Sequence, residues 1–103
     1  MKFIIIYSTF KNKKEADKIV KILLDKKLIA CANYINIESK YFWKDKILST
    51  KEIATYLKTR KENWNKVKKC IEENHSYEIP CIIKMNEVEA NKSYSEWILK
   101  ESK

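Results

Sequence analysis

The 103-residue sequence contains no glycine, one proline (Pro80), one histidine (His75) and one arginine (Arg60). Without glycine there is no Walker or dinucleotide-binding loop, because those loops press bare backbone N–H groups against phosphate. A single histidine excludes an H-E-x-x-H centre. With cysteines and serines scattered along the chain, it also leaves no nucleophile–base pair. A non-enzymatic role is expected. The three cysteines, Cys31, Cys70 and Cys81, lack C-x-x-C spacing, which excludes a structural zinc motif. Their odd number points to a reducing, cytoplasmic setting.

Charge is plentiful but one-sided. The net charge is +8, and the basic side chains are 21 lysines and Arg60. Base readout and bidentate phosphate contacts favour arginine, and the lysines form no block, so a solvated basic surface is expected rather than specific nucleic-acid binding. The apolar run Phe3–Tyr7 is short, with one lysine before it and no A-x-A cleavage site. It reads as a buried strand rather than a signal peptide or membrane span. One domain, residues 1–103, is the natural count at this length.

The dominant feature is the segment Leu28 to Trp43, LIACANYINIESKYFW. Its odd positions (Cys31, Ile35, Ile37, Tyr41, Trp43) are mainly apolar and its even positions mainly polar, the period of a strand. Sixteen residues at roughly 3.3 Å each reach on the order of 50 Å, against a usual strand of about 5–6 residues. A bulge, a second copy of the chain, or both are expected to accommodate that length.

Around it, residues 2–8 read as a first, central strand, and Asn12 with Glu15 as a capping box. The helix that follows carries Ala16, Ile19, Val20, Leu23 and Leu24 on one stripe and ends near Lys26 or Lys27. Lys44-Asp45 is the turn into a third strand, Lys46 to Thr59. Lacking glycine, it is expected to be loose. Thr59 and Glu62 suggest a cap for a second helix, 61–74, burying Trp64, Val67 and Ile71 beside Cys70. After the connector His75–Glu78, a fourth strand is expected from Ile79 to Met85, opened by Pro80. Ser93 and Glu96 then suggest a cap for a final helix with Tyr94, Trp97 and Ile98.

The order β-α-β-β-α-β plus a helix is α+β, the ferredoxin-like split βαβ, with both main helices on one face of the sheet. Acylphosphatases share this plan, but their anion loop needs glycines and an arginine that are absent here. A first helix of about 21 Å cannot cover the central hairpin. An arm from about Tyr34 to Ile53, with Ile35, Ile37, Tyr41, Phe42, Trp43, Ile47 and Leu48, is left to pack on neighbouring subunits. In the expected 4-1-3-2 strand order, the second and fourth strands sit roughly 14 Å apart. Cys31, Cys81 and Met85, soft donors for copper, could then meet only between subunits.

At this point the chain resembles the CutA family, proteins named for divalent-cation tolerance. The resemblance rests on Ser8-Thr9, LIACAN at Leu28–Asn33, and S-x-Y-x-W at Ser39, Tyr41 and Trp43. It continues through E-x-x-x-x-L-K-T at Glu52–Thr59, H-x-Y-E-I-P at His75–Pro80, and Y-x-x-W at Tyr94 and Trp97. It implies a homotrimer similar in plan to PII signalling proteins, and a connection to copper or another divalent cation. Departures are Ser76, Asp45 and Cys81, where the family usually has Pro, Gly and often Glu. Ser8 and Asn74 stand where some members carry Cys and a second His, so a copper site of that kind would keep only His75.

His75 is thus the candidate metal ligand, with helix C-terminal capping as the alternative. Tyr41, Trp43, Tyr77 and Trp97, with Glu52, Lys58 and His75, could line a cleft between subunits; alternatively, Tyr41 and Trp43 are trimer core and Glu52–Lys58 a salt bridge. A second functional possibility is a PII-like sensor taking an anionic metabolite in that cleft.

Overall fold

A computed structural model describes residues 2–103, with Glu87 by its backbone alone. The elements are β1 (Phe3–Phe10), α1 (Lys13–Asp25), β2 (Cys31–Trp43), β3 (Lys46–Thr59), a 3-10 turn (Lys61–Asn63), α2 (Trp64–Asn74), β4 (Ile82–Val88) and α3 (Lys92–Glu101). One antiparallel sheet has the order β2-β3-β1-β4. The α+β, ferredoxin-like plan expected from the sequence is the one found, with β2 and β4 on opposite edges.

One face of the sheet carries α1 and α2. The Asn12 carboxamide accepts from the Glu15 N–H at 2.9 Å, starting α1 by giving its first turn a partner for an orphan donor. The helix then buries Ala16, Ile19, Val20 and Leu23 against Ile4, Ile6 and Phe10 of β1 and Leu57 of β3. Leu24, at the flank of that stripe, stays 43% exposed, and Ile22 packs against the core instead. Val67, Cys70 and Ile71 of α2 complete the layer, with Trp64 half-buried beside them.

Several local expectations are corrected. Thr59 does not cap α2; its hydroxyl donates to the Leu28 carbonyl at 2.6 Å and accepts from the Asn63 carboxamide at 3.0 Å, tying β3 to the α1–β2 turn. The second helix is also split, because the 3-10 turn precedes α2. The cap position of α3 is Asn91, not Ser93, and Glu96 faces Lys92 at 3.8 Å. β4 begins at Ile82, so Pro80 and Cys81 belong to a connector, 75–81, that is longer than the sequence suggested.

The central hairpin holds 13 consecutive pairs, Cys31↔Lys58 to Trp43↔Lys46, without a register shift, so no bulge bends it. The shift lies between β1 and β4 instead, at Phe3/Ile5. β1 accompanies β3 only from Thr59 to Ile53, which leaves Ile37–Trp43 and Lys46–Glu52 as a free two-stranded arm. It gives the subunit its longest dimension, 45 Å against 24 and 21 Å. Phe42 and Ile47 near its tip are 75% and 72% exposed.

The turn at the tip is tight, not loose. Lys44 and Asp45 both sit in the left-handed region, φ 51° and 66°, as a two-residue hairpin turn requires. Lys27 does the same at φ 56°, closing α1 in a Schellman motif: Leu28 N–H donates to Leu23 at 2.9 Å and Lys27 N–H to Leu24 at 3.0 Å. Three positions that favour glycine are therefore held by residues with a Cβ, at a cost on the order of 1 kcal/mol each. Lys27→Gly should raise the unfolding free energy by about 0.5–1 kcal/mol in urea titration, while Lys27→Ala should not. Equal midpoints for the two variants would show that the left-handed backbone is not strained.

Candidate functional site

The other face of the sheet carries no helix over β2 and the arm. Its residues include Ile35, Ile37, Tyr41 and Trp43 of β2, Leu48 and Glu52 of β3, and Ile83 and Met85 of β4. The connector folds across the end of β1 onto this face. The backbone places it there: His75 N–H closes the last turn of α2 on Ile71 at 2.9 Å, and His75 itself is extended.

The His75 ring stacks on Phe10, with centroids 5.0 Å apart and planes at 17°. Its Nδ1 accepts from the Tyr77 N–H at 3.1 Å, which puts the ring proton on Nε2, donating to the Thr9 carbonyl at 2.7 Å. Glu15, buried at the start of α1, accepts from Ser76 N–H at 2.9 Å and from Lys11 N–H at 3.3 Å. The Ser8 hydroxyl donates to the Cys81 carbonyl at 2.7 Å, anchoring the far end of the connector. Tyr77 is thereby aimed at β3, where its hydroxyl donates to Glu52 at 2.6 Å.

Between connector and arm lies a cavity of about 540 Å³, lined by Thr9, Tyr41, Trp43, Leu48, Glu52, Ser76, Tyr77, Glu78, Ile79 and Cys81. Burial pushes the Tyr77 phenol well above its ordinary value, and the Glu52 carboxylate that accepts its proton pushes it further. Burial also raises the Cys81 thiol, with the charge of Glu52 adding to it and the Thr9 contact partly opposing. Glu15 goes the other way. Burial alone would raise it, but the bonds from Ser76 and Lys11 and the neighbouring His75 outweigh that and hold it below the usual carboxylate range.

Of the residues expected at a cleft, the structure brings together Tyr41, Trp43, Glu52 and Tyr77, with His75 packed on Tyr77 at a centroid distance of 4.7 Å. Lys58 and Trp97 are not among them. The Lys58 ammonium donates to the Tyr94 hydroxyl at 3.0 Å, and the Trp97 ring lies tilted against Tyr94 with centroids 5.8 Å apart, at the end of the sheet where α3 packs. Glu52 and Lys58 form no salt bridge, because six strand residues separate them by about 20 Å. Thr9, Leu48, Ser76, Glu78, Ile79 and Cys81 complete the lining, and the continuity of the connector from His75 to Cys81 is the sequence signal for four of them.

A metal finds no ready-made centre here. Both ring nitrogens of His75 are engaged, Cys81 is held as a thiol, and no group of three His, Cys, Asp or Glu among the described residues is placed to share an ion. The residues fit a single-point contact at His75, not a closed coordination sphere. Cys31, Cys70 and Cys81 are all free.

A family model described as CutA1 divalent ion tolerance protein matches residues 4–101. The divalent-cation tolerance protein CutA of Pyrococcus horikoshii is 41% identical over 100 residues, covering 97% of this chain and 98% of the relative. CutA of Thermotoga maritima is 38% identical over 95 residues, covering 92% and 94%. Among solved structures, CutA1 from Pyrococcus horikoshii superposes with a TM-score of 0.92 at 40% identity, covering 97% of this chain and 98% of that one. CutA1 from Oryza sativa gives 0.94 at 28% identity, covering 100% and 95%.

The Glu15 contacts make a pH prediction. A carboxylate whose folded value is lowered contributes stability that is present above the unfolded value, about 4.3, and lost as pH falls through the folded one. Glu15→Gln should therefore lower the melting temperature at pH 7, and the difference from wild type should shrink as pH falls below about 4.3. A constant difference across that range would show that the contacts are not charge-assisted.

Proposed function

The chain belongs to the CutA1 divalent ion tolerance family, and from that premise we propose that it is a non-enzymatic, cytoplasmic homotrimer serving divalent-cation tolerance. The arm supports the assembly. Tyr41, Phe42 and Ile47 are exposed along it, Ile35 at its base, and Ile83 and Met85 on β4 at the opposite edge. Closed cyclic symmetry lets each arm cover a neighbour, with no apolar surface left to propagate. Three free thiols support a reducing compartment. Recovery of the protein in a periplasmic fraction would refute that placement.

A divalent ion such as copper meets this trimer at His75. The observation that carries this reading is the Nδ1 lone pair, held by one backbone N–H at the edge of the cleft. An ion bound there displaces the Tyr77 N–H, a loss of about 1 kcal/mol or several-fold in affinity. Water and the Glu78 carboxylate are left to complete the sphere, so binding is modest and the geometry open. An anionic metabolite gains no support, since the cavity lining holds two carboxylates and no Lys or Arg.

Light scattering at micromolar concentration should give three times the 12.4 kDa subunit mass. Ile37→Asp or Trp43→Asp should abolish that species, because an unpaired charge buried at the interface costs on the order of 3–5 kcal/mol. A soluble wild-type monomer ends the trimer reading. For the metal, calorimetric titration of copper at about pH 8, above the ordinary imidazole range, should show weaker binding to His75→Ala than to wild type. Equal affinity and stoichiometry would mean that His75 only positions the connector.

A further inference from the structure

A second cavity, of about 420 Å³, is lined by Lys2, Phe3, Ile4, Lys61 and Asn86. It lies where β1 begins, whereas the arm leaves the sheet beyond Phe10, where β1 ends. It also lies away from the open face that the proposed trimer buries. Lys61 opens the 3-10 turn that leads into α2, and α2 packs on the helix-covered face. Lys84 of β4 pairs with Ile6, a buried member of that same core, so its side chain is on the helix side too, opposite to Ile83 and Met85. The β1–β4 register shifts between Phe3 and Ile5, at the wall that Asn86 forms, and such a shift re-aims side chains out of the regular pleat.

Where the cleft lining holds two carboxylates, this one holds two ammonium groups and a carboxamide, with two buried apolar residues, Phe3 and Ile4. Next along its walls stand Trp64, three residues past Lys61, and Lys84, two residues before Asn86. The Lys84 ammonium lies 5.2 Å from the Trp64 ring centroid and that of Lys68 lies 5.5 Å from it, so one indole holds two more cations beside the cavity. Lys61, Lys68 and Lys84 make no ion pair among the described residues. Lys2 faces Glu89 at 3.6 Å, but that pair is exposed and therefore weak enough to yield to a dianion. Ammonium groups gathered in one place repel each other, and a dianion among them relieves that repulsion. Size narrows the guest further. A volume of about 420 Å³ lies in the range of small-molecule sites, about 300–1,000 Å³, and inorganic phosphate fills only part of it. We propose that this cavity binds a free phosphate monoester with a small apolar body, its phosphate between Lys2, Lys61 and the Asn86 carboxamide and its body against Phe3 and Ile4. This goes beyond the tolerance reading and depends neither on the cleft nor on copper.

Phenyl phosphate is the probe, at about pH 8, where the ester is a dianion because its second pKa is about 6. Phenol lacks its phosphate, and inorganic phosphate lacks its ring. The test is calorimetric titration of each into the intact protein at fixed ionic strength, with EDTA present so that metal binding plays no part. Phenyl phosphate should saturate in the millimolar range, bind about tenfold more tightly than phenol, and bind several-fold more tightly than inorganic phosphate. Lys2→Gln and Lys61→Gln should each weaken it about threefold to fivefold, the range of an exposed ion pair. Lys14→Gln removes the same charge from the first turn of α1, near the far end of β1, and should leave the affinity unchanged. Light scattering on every variant confirms that assembly is unchanged. Equal losses in all three variants would reduce the binding to general attraction by a basic surface and overturn the proposal. Equal affinities for phenyl phosphate and phenol, or no binding of the ester up to about 50 mM, would do the same. So would a trimer structure in which a neighbour fills the cavity, or displacement of the ester by phosphatidic acid vesicles, which would assign the site to a membrane headgroup.

Discussion

The structure depends on a mismatch of lengths. A β-strand advances about 3.3 Å per residue and an α-helix about 1.5 Å, so helices and strands of 13 residues cannot cover one another. α1 and β2 are both 13 residues long, and β2 outruns the helix layer by half its length. The overhang keeps its backbone hydrogen bonds because β3 follows it pair for pair, and so it survives as a regular ribbon without a core of its own. Its side chains are another matter. Any burial for residues such as Phe42 and Ile47 has to come from outside the chain, because no element of its own covers them.

The same ribbon makes the cleft. A strand that stopped where β1 stops would present no Tyr41, Trp43 or Leu48 opposite the connector, and Tyr77 would lie on the bare edge of a sheet. The connector is held to β1, α1 and the ribbon through groups that are individually modest: an imidazole on the Thr9 carbonyl, the Ser76 N–H on Glu15, the Ser8 hydroxyl on the Cys81 carbonyl, a phenol on Glu52. Together they orient a segment with no regular secondary structure of its own. Each bond satisfies a group that the bend leaves without a partner in strand or helix.

The absence of glycine is absorbed rather than avoided. Where the backbone must enter the left-handed region, at Lys27, Lys44 and Asp45, lysine and aspartate accept the strain because the hydrogen bonds of the Schellman motif and the hairpin ladder hold the turn closed. Residue preference therefore misled at the hairpin: a weak turn former suggested a loose turn, and 13 cooperative pairs imposed a tight one.

The sequence by itself determined the element order, the strand period of residues 31–43, the buried stripe of α1 and the overhang. Those follow from local periodicity and from fixed rises per residue, which need no knowledge of neighbours. The motif residues carried the family as well. Helix caps were less legible: Asn12 was, while Thr59 and Ser93 were not, because a hydroxyl chooses among all the partners the fold brings near it, and for Thr59 those were Leu28 and Asn63. The cleft was only partly visible. Tyr41, Trp43, Glu52 and Tyr77 meet there, whereas Lys58, on the same strand as Glu52, and Trp97, on α3, belong to the same motif pattern yet turn to Tyr94. Nothing in the spacing of residues distinguishes the two groups. Only the tertiary structure decides between them, because the path of the connector over β1, fixed by contacts far apart in the chain, sets which end of the sheet becomes a cavity.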